Sequence, residues 1–129
     1  MELKLIHSDN RGKIHILTGF NTYPEVTLFK TNSGYSRGGC IHNLHDEYIC
    51  VLEGTVDYTF EDKDRDKIYK IRLNDGETYK IPKGTPHYFY SVTHSTVLEW
   101  GCEESEKKQK HVVFRAIVDT INKQKENQK

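Results

Sequence analysis

Little in this sequence could staple the chain, thread it through a bilayer or draw it to a charged polymer. Its three cysteines, Cys40, Cys50 and Cys102, are an odd number with no CxxC pair, which argues against a disulfide framework or a zinc ribbon and leaves reduced thiols as the expectation. No segment approaches the roughly 18 apolar residues of a membrane span, and the start, MELKLIHSDNRG, lacks the basic opening and apolar run of a signal peptide. The protein is therefore expected in the cytosol. Nineteen basic and nineteen acidic residues cancel, so the overall charge names neither nucleic acid nor an anionic membrane as partner. A small or polar molecule is expected instead. A Gly-rich phosphate loop, a Gly-x-Ser-x-Gly elbow and an HExxH helix are all missing, which removes support for the familiar kinds of nucleophilic hydrolysis.

What is present is strand-like. The chain has 129 residues, 35% of them apolar, with a mean hydropathy of -0.77 and 8 tyrosines. That is enough for one core, and tyrosine- and valine-rich runs favour strands. Short apolar runs recur at Leu3–Ile6, Lys13–Thr18, Val26–Thr31, Tyr48–Leu52, Thr55–Phe60, Lys67–Leu73, Thr78–Ile81, Tyr88–Val92 and Thr96–Trp100. Such lengths and spacings predict an all-β sandwich or barrel. Asn32-Ser33-Gly34, Asn74-Asp75-Gly76 and Pro82-Lys83-Gly84 mark turns, and the charged run from Glu61 to Lys67 reads as a solvated hairpin tip. From His111 the period changes: Val113, Ile117 and Thr120, with Phe114 and Val118, sketch the apolar face of a helix. Beyond Lys123 the chain is polar, and fraying is expected. The reading is one domain over 1–129, with a barrel over about 1–102 and a C-terminal helix with its polar tail over about 111–129.

Two spaced motifs carry the chemistry: Gly34-x5-Cys40-x-His42-x4-Glu47-x6-Gly54 and Gly76-x5-Pro82-x-Gly84-x2-His87-x3-Ser91. They resemble the two signature motifs of the cupin superfamily, departing where Cys40 replaces a histidine and Ser91 an asparagine. The resemblance implies a double-stranded, jelly-roll-like antiparallel β-barrel with a short C-terminal helix. It also implies a ligand or substrate inside the barrel and a homodimer, with an edge strand that needs a partner as the physical reason.

Alternate residues of a strand share a face, so Cys40 pairs with His42, and Glu47 with Ile49 and Val51. If these face inward with His87, then Cys40, His42, Glu47 and His87 form a metal-ligating set suited to iron, manganese, nickel or zinc, with the Cys40 sulfur favouring zinc. A bland alternative makes Cys40 a small buried apolar side chain. His45, in the turn before Glu47, is the substitute ligand if Cys40 is not one, although an exposed turn histidine is the simpler reading. The segment Arg37-Gly38-Gly39-Cys40-Ile41-His42 is also similar to the Arg-Gly-x-His-x-His order of the cupin sugar-nucleotide ketoisomerases. That similarity implies that Arg37 holds an anionic group and that histidine and tyrosine carry protons. The expected function is an isomerase or epimerase of a carbohydrate or nucleotide-linked sugar, with His42 and His87 catalytic and Arg37, Tyr58 and Trp100 binding substrate. The alternatives are a metal-dependent enzyme such as a dioxygenase, and a non-catalytic barrel that binds a sugar.

Overall fold

The computed structural model describes residues 2–18, 25–102 and 108–128. Eleven strands and one helix follow in order: β1 Glu2–Asp9, β2 Gly12–Thr18, β3 Glu25–Thr31, β4 Ser36–Ile41, β5 Glu47–Glu53, β6 Val56–Asp62, β7 Lys67–Leu73, β8 Thr78–Ile81, β9 His87–Ser91, β10 Ser95–Trp100, β11 Gln109–Lys110 and α1 Val112–Asn127. They form a six-stranded sheet in the order β1-β2-β3-β10-β5-β8 and a five-stranded sheet in the order β11-β4-β9-β6-β7. The described pairings are all antiparallel. No helix among the described residues is long and apolar enough to cross a membrane.

Alternation decides what lies between the sheets. In β5 the residues Glu47, Ile49 and Val51 are buried while Tyr48 and Cys50 are only partly so. Ile49, Val51, Ile81 and Val97 of one sheet meet Val56, Tyr58, Phe60, Leu73 and Phe89 of the other as the core. Each such large side chain, moved fully out of water, contributes about 1.5–3 kcal/mol. The aromatic pairs Tyr58–Phe89, at 5.1 Å, and Tyr58–Phe60, at 5.9 Å between centroids, fill the span that aliphatic side chains would otherwise have to bridge. Ser91 belongs to the framework: its buried hydroxyl contacts the Ser95 hydroxyl at 2.7 Å and donates toward the carbonyls of Thr31 and Thr93.

The nine apolar runs all fall on strands. The two strands without such a run, β4 (SRGGCI) and β11 (QK), pair with each other, and β4 carries Arg37 and Cys40. β4 pairs with β9, but the register slips between Gly38 and Cys40. This bulge inserts one residue and resets the alternation, so Arg37 opposite Phe89 and Cys40 opposite His87 both turn inward. Glycine is required there. A Cβ on Gly38 would lie 2.8 Å from the Tyr88 Cα, one on Gly39 2.8 Å from the Arg115 backbone, and both residues have positive φ, 113° and 86°.

The helix secures that bulge. The Gly38 carbonyl accepts a hydrogen bond from Arg115 Nη1 (2.9 Å), and the Gly39 carbonyl accepts one from the His111 N–H (2.9 Å). His111 also caps α1, its Nδ1 accepting from the Phe114 N–H at 3.1 Å while Nε2 lies 2.8 Å from Glu61. Only Phe114 and Val118 of the anticipated apolar face are buried; Val113 and Ile117 are exposed. Nor does the helix end at Lys123. Asn122 bonds both the N–H (2.8 Å) and the C=O (3.0 Å) of Ser36, and Glu126 accepts from the Tyr35 hydroxyl at 2.8 Å. Polar docking therefore extends α1 to Asn127, where hydrophobic periodicity alone predicted fraying.

Candidate metal and anion site

Between the sheets, at one end, lies a cavity of about 470 Å³ whose lining includes Arg37, Cys40, His42, Tyr58, His87 and Glu99. His42 sits just past the end of β4, Glu47 opens β5 and His87 opens β9. The three meet because strand ends from both sheets converge there. His42 Nε2 is 2.9 Å from Glu47 Oε2, His87 Nε2 is 3.3 Å from Glu47 Oε1, and Cys40 Sγ is 3.8 Å from His42 Nε2. His87 Nδ1 donates to the Thr85 carbonyl at 2.9 Å, which fixes the ring and points Nε2 at Glu47.

The electrostatics are those of crowded, desolvated opposites. Burial works to raise the Glu47 pKa, but the His87 and His42 imidazoles outweigh it and hold the carboxyl far below the usual range. Burial likewise works against charged His42 and His87. Contacts with Cys102, Cys40 and Glu47 raise His42, and the Glu47 charge raises His87. Cys40 is lowered, because His42 and His87 overcome the opposing effect of burial. Burial, and after it the negative charge of Glu47, raise the Glu99 pKa well above the usual carboxylate range, and burial is the main cause that raises Tyr58 well above the usual phenol range.

The residues present fit a metal ion. Both Glu47 oxygens and His42 Nδ1 are buried without an aligned hydrogen bond, although the imidazole nitrogens crowd the carboxylate. Such atoms are expensive unless something else uses their lone pairs. Cys40, His42 and His87 form one group, and His42, Glu47 and Cys102 another, with the ligand atoms of each within 4.8 Å of one another. Imidazole, carboxylate and thiolate are the donors of zinc, and without the sulfur they also suit iron, manganese or nickel.

Above this cluster lies a buried cation. Arg37 is 3% exposed; its Nε donates to Thr31 Oγ1 at 2.9 Å and its Nη2 to the Lys30 carbonyl at 3.3 Å, while Nη1 is buried with no partner among the described residues. Burial, and secondarily the positive charge of Arg11, lower its pKa to about 10, still charged at neutrality. Arg11, Lys108, Lys110 and Arg115 also line the cavity, so lysine and arginine outnumber the one acidic residue, Glu99, in its lining.

The structure brings together Cys40, His42, Glu47, His87, Arg37 and Tyr58 from the sequence reading. It does not bring Trp100. Val97 and Glu99 take the inward positions of β10, so Trp100 falls on the other face and stacks on Tyr48 with centroids 5.9 Å apart. His45 is exposed, and its carbonyl accepts from Cys102 Sγ at 3.3 Å. Two residues enter that the motifs did not name. Glu99 was signalled only by strand phase, and Cys102 by nothing in the spacing.

Comparison with known proteins agrees with this architecture. The family model described as "Cupin domain" matches residues 33–101, while no curated protein matches the sequence. Among solved structures, the capsular polysaccharide assembling protein CapF from Staphylococcus aureus is 19% identical with a TM-score of 0.71, over 84% of this chain and 32% of that one. Bacillus subtilis oxalate decarboxylase, a protein with Mn(II) centers, is 18% identical with a TM-score of 0.69, over 83% of this chain and 29% of that one. Drosophila melanogaster CENP-C bound to CAL1 is 12% identical with a TM-score of 0.64, over 75% and 74%. The chain thus spans about a third of the length of the first two, and at these identities the likeness is one of fold.

Proposed function

The chain belongs to the cupin domain family, and from that premise we propose that it is a metal-supported isomerase or epimerase acting on a small anionic carbohydrate inside the barrel. The observation that carries this reading is the buried Arg37 guanidinium, whose Nη1 has no hydrogen-bond partner among the described residues, in the cavity that His42 and His87 line beside Glu47. A buried charge without a counterion costs several kcal/mol, which an incoming carboxylate or phosphate would offset with a bidentate pair that lysine cannot form. The described similarity to a capsular polysaccharide assembling protein supports a carbohydrate, and that to a protein with Mn(II) centers supports a metal.

Cys40, His42, Glu47 and His87 would hold the ion, which when bound supplies Lewis acidity toward a substrate oxygen. Arg37 anchors the anionic end of the substrate and so fixes which carbon faces the cluster. The Tyr58 hydroxyl, buried and without a hydrogen-bond partner among the described residues, donates to a second substrate oxygen. The cavity walls of Phe29 and Phe89 exclude water from the exchanging carbon.

A second reading rests on the two Glu47–imidazole contacts: without metal, His42 and His87 are themselves the proton carriers, with Glu47 orienting both. One experiment serves both readings. Sugar phosphates, uronic acids and nucleotide sugars are incubated with the protein in D2O, with and without chelator, and products are read by mass spectrometry. Incorporation of solvent deuterium that requires metal supports the first reading, and incorporation that survives chelation supports the second. Oxygen uptake without deuterium exchange would mark dioxygenase chemistry, and binding with neither would mark a carrier.

A further inference from the structure

We propose that Cys102 is a second sulfur donor to the metal centre, an inference that rests on the metal-bound reading above. Along β10 the inward residues are Ser95, Val97 and Glu99, so continued alternation would turn residue 102 away. Gly101 breaks the alternation: its φ is 100°, and a Cβ there would lie 2.5 Å from the Asp46 carbonyl oxygen. The chain is pressed against the start of β5, and Cys102 becomes 5% exposed. Its thiol reaches the His45 carbonyl at 3.3 Å and joins His42 and Glu47 in a group whose ligand atoms all lie within 4.8 Å.

The other members of that group are buried beside it. His42 Nδ1 and both Glu47 oxygens have no aligned hydrogen bond among the described residues, and His42 and Glu47 each offer one donor atom next to the thiol. His42 is shared with the Cys40–His42–His87 group, which gives the centre a sulfur on each of two overlapping triads. Two thiolates bias the ion toward zinc and away from manganese or iron(II), whose preferred donors are harder. The centre of this chain is therefore thiophilic, in keeping with its departure from the histidine at position 40.

Cobalt(II) reports sulfur ligation directly, through its near-ultraviolet sulfur-to-metal absorption. Wild type, Cys40→Ser, Cys102→Ser, the double variant and Cys50→Ser would be loaded with cobalt under reducing conditions, with cobalt per chain measured and folding followed by circular dichroism. Cys102→Ala serves as a second variant should serine perturb the packing. The expected result is a band that falls by about half in each of Cys40→Ser and Cys102→Ser, vanishes in the double variant and is unchanged in Cys50→Ser. A full band in folded, cobalt-loaded Cys102→Ser and Cys102→Ala overturns this inference and leaves the metal reading standing. Failure of folded wild type to take up cobalt overturns both.

Discussion

Arg37 and Cys40 face the same cavity although they are three positions apart on one strand, a separation that an unbroken strand would place on opposite faces. The extra residue at Gly38–Gly39 is what makes the proposed anion-binding and metal-binding residues neighbours. Helix α1 holds it in place through Arg115 and His111.

Gly39→Ala tests that arrangement. The new methyl would meet the Arg115 backbone at 2.8 Å in a left-handed backbone with φ of 86°. We expect a loss of about 1–3 kcal/mol in denaturant unfolding together with loss of bound metal. Gly76→Ala has the same positive-φ strain but nothing within 4 Å, so it should cost about 1 kcal/mol and leave metal content unchanged. Equal metal loss in both variants would count against the bulge as the positioning device.

Arg37→Met should separate binding from stability. It removes a buried cation that makes no ion pair among the described residues, so stability is expected to rise, or to fall by less than about 1 kcal/mol. Arg37→Lys should weaken a sugar phosphate or uronate by about tenfold or more, about 1.4 kcal/mol, as read by calorimetry, with metal content intact. A large stability loss in Arg37→Met would make Arg37 a structural residue.

Asn122→Ala should be costly for a residue on a polar helix face. It removes both hydrogen bonds to the backbone of Ser36, which is 0% exposed, and the expected cost is about 2 kcal/mol. Val113→Ala, at an exposed position on the same helix, should change stability by less than about 0.5 kcal/mol. Chemical denaturation of the two variants side by side decides it, and equal costs would mean that the helix docks by its apolar residues instead.

Metal binding should release protons. The negative charge of Glu47 raises the pKa of His87 and contributes to the rise at His42, so the metal-free protein holds protons on these imidazoles to higher pH than an ordinary histidine does, and ligation must expel them. The sign follows: apparent affinity increases as pH rises and is lost in acid. Zinc titrations by calorimetry in buffers of different ionisation enthalpy should show net proton release at pH 7, and heats independent of buffer would contradict it.

Much of this was legible in the sequence, and the illegible parts share a cause. Residues such as Ile49, Val51 and Val97 announce their strands because burial on one face writes a period of two. The convergence of His42, Glu47 and His87 was an expectation carried by the resemblance of the two motifs, and each stands at or just past one end of a strand. Arg37 was singled out by its neighbours in the chain; the bulge that turns it inward lies in a Gly-Gly pair whose pairing partner, Tyr88, is fifty residues away. Trp100 was misplaced and Cys102 overlooked for related reasons. Strand phase is set by tertiary pairing, and the kink at Gly101 resets it just after Trp100. The helix continued past Lys123 because Asn122 and Glu126 dock through hydrogen bonds, which leave no hydrophobic period.

The most direct test of the account is elemental analysis of untagged protein, as purified and after incubation with zinc, manganese and iron(II) followed by dialysis, for wild type, His42→Ala and Glu47→Ala. The account predicts about one ion per chain in the wild type, with zinc retained in preference to manganese, and none in either folded variant. A wild-type protein that retains no ion after any of these treatments, or variants that bind as well as wild type, would contradict it.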